Sequence, residues 1–278
     1  GMIFAIGLLN GILTKVFEMV LWPFYSVDPI WGMIFISLLT GAIMVWVFGK
    51  VSNQDRVREI RNRIRGNLIA VRLFQYDLGV VFSLQGRILR DTLTYMQYSL
   101  VPMLILIVPV TFIIIQLNLH FSVRPMKVGE RAIVTATMRD PAALKRNPAI
   151  EAPEGIRVET PGVRVESARE ISWRIICGRD GKYPLRVRVR DEVVEKDIRV
   201  GLDWGRVSEI RVGSSILDML LYPGEPPIPA SSPVESIRVK YRPLELAVFG
   251  WHIHWLVLFF VLSIVFGFAL KGVMGVEV

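Results

Sequence analysis

The stretch WGMIFISLLTGAIMVWVFGKVSNQDRVREIRNRIR, residues 31–65, changes character at Lys50. Residues 31–49 contain no charged side chain, whereas five arginines lie between positions 56 and 65. A helix needs roughly 20 apolar residues to cross the hydrocarbon core of a bilayer, and the uncharged run has that length. This stretch therefore predicts a membrane-spanning helix that is followed directly by a basic segment.

The composition of the whole chain agrees with a membrane protein that also has polar parts. Of 278 residues, 52% are hydrophobic, and the mean hydropathy of +0.45 is high for a soluble globular chain. Charged residues still make up 21%, so the apolar and polar parts must be separate in sequence. Cys177 is the only cysteine, which excludes an intrachain disulfide and any zinc site built from several cysteines.

Two further stretches are long and apolar enough to span a membrane, Leu100 to Leu117 and Trp255 to Leu270. Aromatic or basic residues flank each span, as is typical of the membrane–water interface. The predicted spans cover residues 31–50, 99–118 and 249–271.

The first 25 residues are also apolar, but they carry a narrow polar stripe. Asn10, Thr14 and Glu18 recur every four residues, and Lys15 lies beside them. One polar stripe on an apolar helix is the pattern of a helix that lies in the membrane interface. We expect an amphipathic interfacial helix over 1–25, and a fourth span is the alternative.

The segment 51–98 predicts a basic helical hairpin. Apolar residues with helical spacing define two arms, and YDLG at 76–79 supplies the reversal between them. The predicted inward positions are Val57, Ile60, Ile64, Leu68 and Val71 in the first arm, and Val81, Leu84, Ile88 and Tyr95 in the second. We expect both arms to continue the flanking spans without a break.

Charge in the short loops predicts the orientation. The segment 51–98 has eight arginines and four acidic residues, whereas the short N-terminal segment has only Lys15 as a basic residue. The positive-inside rule then places 51–98 and the C-terminus in the cytoplasm, and the N-terminus and the segment 119–246 outside.

From residue 119 to 213 the apolar period changes from helical spacing to alternation. Short alternating runs predict six or seven antiparallel strands and an extracytoplasmic β-sandwich, for which an immunoglobulin-like arrangement is one candidate. The six clearest runs are 131–139, 156–160, 163–167, 170–177, 183–190 and 193–200. GRDGKY at 178–183 predicts a hairpin turn. Residues 214–246 form a proline-rich linker with a short apolar helix, and SIRVKY adds a possible strand.

The sequence offers no enzymatic motif. There is no metalloprotease, serine-hydrolase or P-loop signature, and no charged residue lies within the apolar core of a predicted span. His252 and His254 are expected at the start of the third span, where a helix would point them apart. We therefore expect no enzyme, no cofactor and no metal site. We also expect no DNA partner, because the charges of 119–246 are nearly balanced, with 22 basic and 18 acidic residues.

The arrangement resembles the YidC/Oxa/Alb membrane-protein insertase superfamily, and within it archaeal YidC-like proteins and the insertase subunit of the ER membrane complex. The resemblance lies in residues 38–65, which join the first span to the basic hairpin, and in SLVPMLILIVPVTFIIIQL at 99–117, with Pro102-Met103 and Pro109. It covers about 31–118 and the third span. It implies a prokaryotic inner-membrane protein with a three-span core.

The resemblance also implies functional residues. In the family, three spans enclose a polar groove that eases the passage of short hydrophilic segments, and the hairpin receives the client or contacts the ribosome. Carried over, the groove-lining candidates are Thr40, Thr111 and Ser263, and the candidates for binding a nascent membrane protein or the ribosome are Arg56, Arg58, Arg61, Arg63 and Arg65. The alternative is a non-catalytic membrane scaffold whose extracytoplasmic β domain binds an envelope protein.

Overall fold

The structure is a computed structural model that describes residues 2–52, 54–73, 76–248 and 250–276. It contains helices and a separate region of antiparallel strands, which confirms the predicted combination of fold classes at that level. The described helices are α1 (Met2–Leu21), α2 (Pro29–Val51), α3 (Gln54–Leu73), α4 (Leu78–Phe121), α5 (Pro141–Leu144), α6 (Ile216–Leu221) and α7 (Trp255–Val273).

Three of the described helices are long and apolar enough to cross a membrane, namely α2, α4 and α7. They correspond to the three predicted spans, and the chain is a membrane protein on this evidence. The chain divides into two compact units. The helical unit comprises Met33–Ile113 and Leu256–Val278, and the β unit comprises Gly1–Gly32 and Ile114–Trp255.

In the helical unit, α3 and the first part of α4 form the hairpin. Val57 and Ile60 of α3 and Leu84 of α4 are buried, and the Asn67 amide lies 3.5 Å from the Asp91 carboxylate. The second arm continues the span without a break, as predicted, because α4 is one helix. The first arm does not, because α2 ends at Val51 and α3 begins at Gln54.

One predicted inward position of the hairpin is exposed rather than buried. Leu68, which has the spacing of an inward position, is 54% exposed, so that prediction was wrong. At the reversal, the Asp77 carboxylate accepts a hydrogen bond from the backbone N–H of Val80 at 3.1 Å. This is the N-cap that begins α4.

The β unit contains all six of the clearest predicted strands. The described strands are β1 (Arg131–Met138), β2 (Ala149–Glu151), β3 (Ile156–Val158), β4 (Val163–Val165), β5 (Glu170–Cys177), β6 (Gly181–Val189), β7 (Glu192–Val200), β8 (Ile210–Val212), β9 (Val234–Val239), β10 (Leu246–Val248) and β11 (Trp251–Ile253). One sheet has the order β3-β5-β1-β9-β8 with β4 also paired to β5, a second has β2-β6-β7, and β10 pairs with β11. All of these pairs are antiparallel.

Three local predictions in this region were wrong. Residues 178–183 do not close a hairpin, because β5 and β6 belong to different sheets. The β region does not end at residue 213, because β9 lies between β1 and β8. His252 lies on β11 opposite Ala247 rather than on the third span, which begins at Trp255.

The two larger sheets share one hydrophobic core. The central strands β1 and β5 place alternate residues in it, including Val134, Trp173 and Ile175, and β6 and β7 add Val187 and Ile198. Full burial of one such side chain contributes about 1.5–3 kcal/mol. The apolar side chains at alternate positions of each strand therefore hold the two sheets together.

Candidate functional site

The predicted arginines lie on the outer surface of the hairpin. Arg56, Arg58, Arg63 and Arg65 are exposed and Arg61 is half-buried, because Val57 and Ile60 occupy the buried side of α3. The Arg56 guanidinium lies 3.3 Å from the Glu59 carboxylate, with both side chains more than half exposed. Such a pair contributes at most about 1 kcal/mol, so the arginine surface can exchange this contact for another anion.

The hairpin tip also exposes large apolar side chains. Leu73, Tyr76 and Phe82 are each more than two-thirds exposed. The tip therefore offers apolar contacts next to the basic surface.

A cavity of about 180 Å³ opens among α2, α4 and α7 within the helical unit. Gly41 allows α2 and α7 to approach each other closely. A Cβ atom at this position would lie 2.8 Å from the backbone oxygen of Ser263 and 3.0 Å from the backbone nitrogen of Gly267. Small residues allow membrane helices to approach in this way. The lining is Gly41, Met44, Val45, Phe48, Leu106, Val110, Phe259, Phe260, Ser263, Ile264, Gly267, Phe268 and Lys271.

The three predicted groove residues are not all brought to this cavity. Ser263 lines it, and its buried hydroxyl has no hydrogen-bond partner within the described residues. Thr40 is buried but is not among the lining residues. Thr111 is exposed, and its hydroxyl donates to the carbonyl of Ile107 at 2.7 Å. The cavity is mainly apolar, in contrast to the polar groove that the resemblance implies.

Lys271, the basic residue at the end of the third apolar run, also lines the cavity. Its ammonium lies 4.8 Å from the centre of the Phe268 ring, within the range of a cation–π contact. The spacing of Ile264, Gly267, Phe268 and Lys271 places them on one face of a helix. That spacing was the signal that could have identified Lys271.

The β unit contains a buried ion pair that sequence reasoning also missed. Lys196 occupies a core position of β7, where its side chain is 0% exposed, and it pairs with Glu225. Its ammonium also donates to the carbonyls of Asp197, at 3.2 Å, and Ser208, at 2.7 Å. Burial lowers the pKa of Lys196, and the carboxylate of Glu225 opposes that shift. Since an ammonium has three donors and each has an acceptor, we interpret this pair as structural.

Other titratable groups of the β unit do not indicate catalysis. Burial raises the pKa of Cys177 to about 11, which makes its thiol a poor nucleophile near neutral pH. Burial also raises the pKa of Tyr25 to about 12. In the described part of the chain, no group of three His, Cys, Asp or Glu side chains is close enough to hold a metal ion.

The chain matches no protein-family model, and no curated protein is significantly similar to it.

Proposed function

We propose that this chain is a membrane-protein insertase or membrane chaperone of the YidC/Oxa/Alb type. The observation that carries the proposal is the cavity among three helices of membrane-spanning length. Pumps and ion channels place charged residues along their path, whereas the cavity lining has one charged residue, Lys271. An apolar recess between spans suits a protein that holds apolar segments of other proteins.

The size of the cavity indicates what it holds. An apolar cavity of about 150 Å³ accommodates a benzene molecule, so the volume of about 180 Å³ fits one aromatic or branched aliphatic side chain of a client helix. Among the described lining residues, the polar side chains are those of Ser263 and Lys271, and they suit a polar group at the end of the client segment. We therefore place client recognition in a mainly apolar recess.

The hairpin would bring clients to the membrane. Its exposed arginines attract acidic segments of a nascent chain or the ribosome over a distance of about 8 Å at physiological ionic strength. Its exposed apolar tip would then contact the apolar part of the client. In this proposal the hairpin is cytoplasmic, the β unit is an extracytoplasmic immunoglobulin-like sandwich, and the protein lies in a prokaryotic inner membrane.

Photo-crosslinking during translation of a short single-span client tests the proposal. The probe replaces Met44, which lines the cavity, and the control probe replaces Trp46, which is exposed on the same helix. We expect a crosslink from position 44 to the client and none from position 46. If position 44 crosslinks only to lipid or to a stable neighbouring protein, the insertase proposal fails and the alternative of a scaffold for an envelope partner takes its place.

A further inference from the structure

The polar stripe of α1 faces the protein. Asn10 and Thr14 are both buried, and the Asn10 amide donates to the carbonyl of Met219 in α6 at 2.8 Å. One turn further along α1, the Glu18 carboxylate lies 2.9 Å from the Arg206 guanidinium. An interfacial helix ordinarily turns its polar side to water, but here α6 and Arg206 occupy that side.

The outward side of α1 is consequently apolar. Its exposed large side chains recur with helical spacing along the described length of that face and continue into Trp22, directly after α1. Met19 and Trp22 are about three-quarters exposed. The set comprises Leu8, Leu9, Ile12, Val16, Met19 and Trp22. The exposed basic residue among these positions is Lys15, whose long side chain can reach a phosphate while its methylenes cover apolar surface.

Helix α6 packs against α1 and also exposes apolar side chains. Met219 is its buried residue, whereas Leu217 is 64% exposed, and Ile216 and Leu221 are also exposed. The following segment is fixed from two sides, since Arg206 donates to the carbonyl of Gly224 at 3.2 Å and Lys196 pairs with Glu225. These contacts fix the segment that follows α6, the helix in which Leu217 and Leu221 are exposed.

The position of this surface along the chain identifies its partner. The β unit includes the first turn of α2, the last residues of α4 and Trp255 at the start of α7. Only residues 22–28 separate α1 from α2, a reach of at most about 25 Å. Large apolar faces are rare on a monomer in water, and this one is joined by a short segment of chain to the first membrane-spanning helix.

We propose that α1 and α6 together form a lipid-binding surface that seats the β unit on the bilayer. The partner is the headgroup and upper acyl-chain layer, with Lys15 at the phosphates. The ion pair between Glu18 and Arg206 then holds α1 to the segment between β7 and β8. The proposal does not depend on insertase activity.

A depth measurement on the full-length protein tests this surface. Leu217→Cys is labelled with a fluorophore, and the protein is placed in nanodiscs of phosphatidylcholine and phosphatidylglycerol whose acyl chains carry bromine. The control is Val193→Cys, which is exposed at the far end of β7, about 23 Å along the strand from Val200. Native Cys177 is buried, so its failure to react reports that each variant is folded.

We expect the bromines to quench most of the fluorescence at position 217 and little at position 193. Iodide in the water should show the opposite preference, because an interfacial apolar face lies about 5–10 Å below the headgroups. Quenching of position 217 by iodide instead would overturn the proposal. Protection from both quenchers would also overturn it, because a protein partner would then cover α6.

Discussion

Replacing Lys196 with methionine should strongly destabilise the β unit. The ammonium of Lys196 serves Glu225 and two backbone carbonyls, and both side chains of the pair are at most 6% exposed. Methionine would leave the Glu225 carboxylate buried with a hydrogen bond only from the backbone N–H of Asp197, at 3.1 Å. Breaking a buried pair by removing one partner costs about 3–5 kcal/mol.

Amide hydrogen exchange in the full-length protein would measure this loss locally. A loss of about 3–5 kcal/mol raises the opening equilibrium of the amides in β7 by roughly two to three and a half orders of magnitude. Arg188→Met is a matched control on β6, where an ion pair with Glu151 at 2.7 Å is about half exposed. Its loss should cost less than about 1 kcal/mol.

The double variant Lys196→Met/Glu225→Gln separates burial of an unpaired charge from loss of packing. Removing both charges should recover part of the stability lost in Lys196→Met, because no ion then stays unpaired in the core. The reasoning is refuted if Lys196→Met costs no more than Arg188→Met. It is also refuted if the stability lost in the double variant equals the sum of the losses in Lys196→Met and Glu225→Gln measured separately.

Three further outcomes follow from other contacts. Gly41→Ala should lower the free energy of unfolding of the helical unit by about 1–3 kcal/mol through overpacking. Gly66→Ala should raise it by up to about 1 kcal/mol, because nothing lies within 4 Å of the added Cβ. Calorimetry would measure both changes. Alkylation of Cys177 in the folded protein should be slow at neutral pH and accelerate toward its raised pKa of about 11, followed by mass spectrometry. Hydrogen bonds from Arg124 lower the pKa of Glu130. The stability that they contribute is therefore present above the ordinary pKa of 4.5 and is lost as pH falls through the lowered pKa. Acid titration followed by circular dichroism should show a smaller loss of stability in Glu130→Gln than in the wild-type protein.

The sequence predicted those elements whose signal is local. An uncharged run such as residues 31–49 is specified by its own hydropathy, and it is found inside α2. Strands such as β1 and β5 alternate apolar with polar residues over their whole length, so their positions could be read directly. Neither result required knowledge of which element packs against which.

Features that depend on distant parts of the chain were missed. Lys196 lies at a core position of a predicted strand, two residues from Val194 and Ile198, but its partner Glu225 lies 29 residues away in a segment expected to be a linker. The stripe of Asn10 and Thr14 was expected to face water, whereas the carbonyl that accepts from Asn10 is 209 residues away. GRDGKY has good turn chemistry, but a turn does not determine whether its two strands share a sheet.

The candidate site shows the same division. The polarity of Ser263 within an apolar span marked it as a candidate, and it does line the cavity. Thr111 has the same polarity, but its hydroxyl bonds to its own helix at Ile107. Polarity alone therefore does not identify groove residues, because a hydroxyl in an apolar helix can be satisfied by the preceding turn.

Insertion of a client into liposomes that contain only the purified protein tests the central claim most directly. The readout is the protease-protected fragment of a single-span client with a short translocated tail, compared with empty liposomes. Gly267→Leu would fill the cavity, since a Cβ there meets only Val45, at 3.7 Å, and Val261→Leu is the control on the exposed side of α7. We expect the wild-type protein and Val261→Leu to increase the protected fragment and Gly267→Leu to lose the increase. An equal yield from the wild-type protein and from empty liposomes would contradict the account.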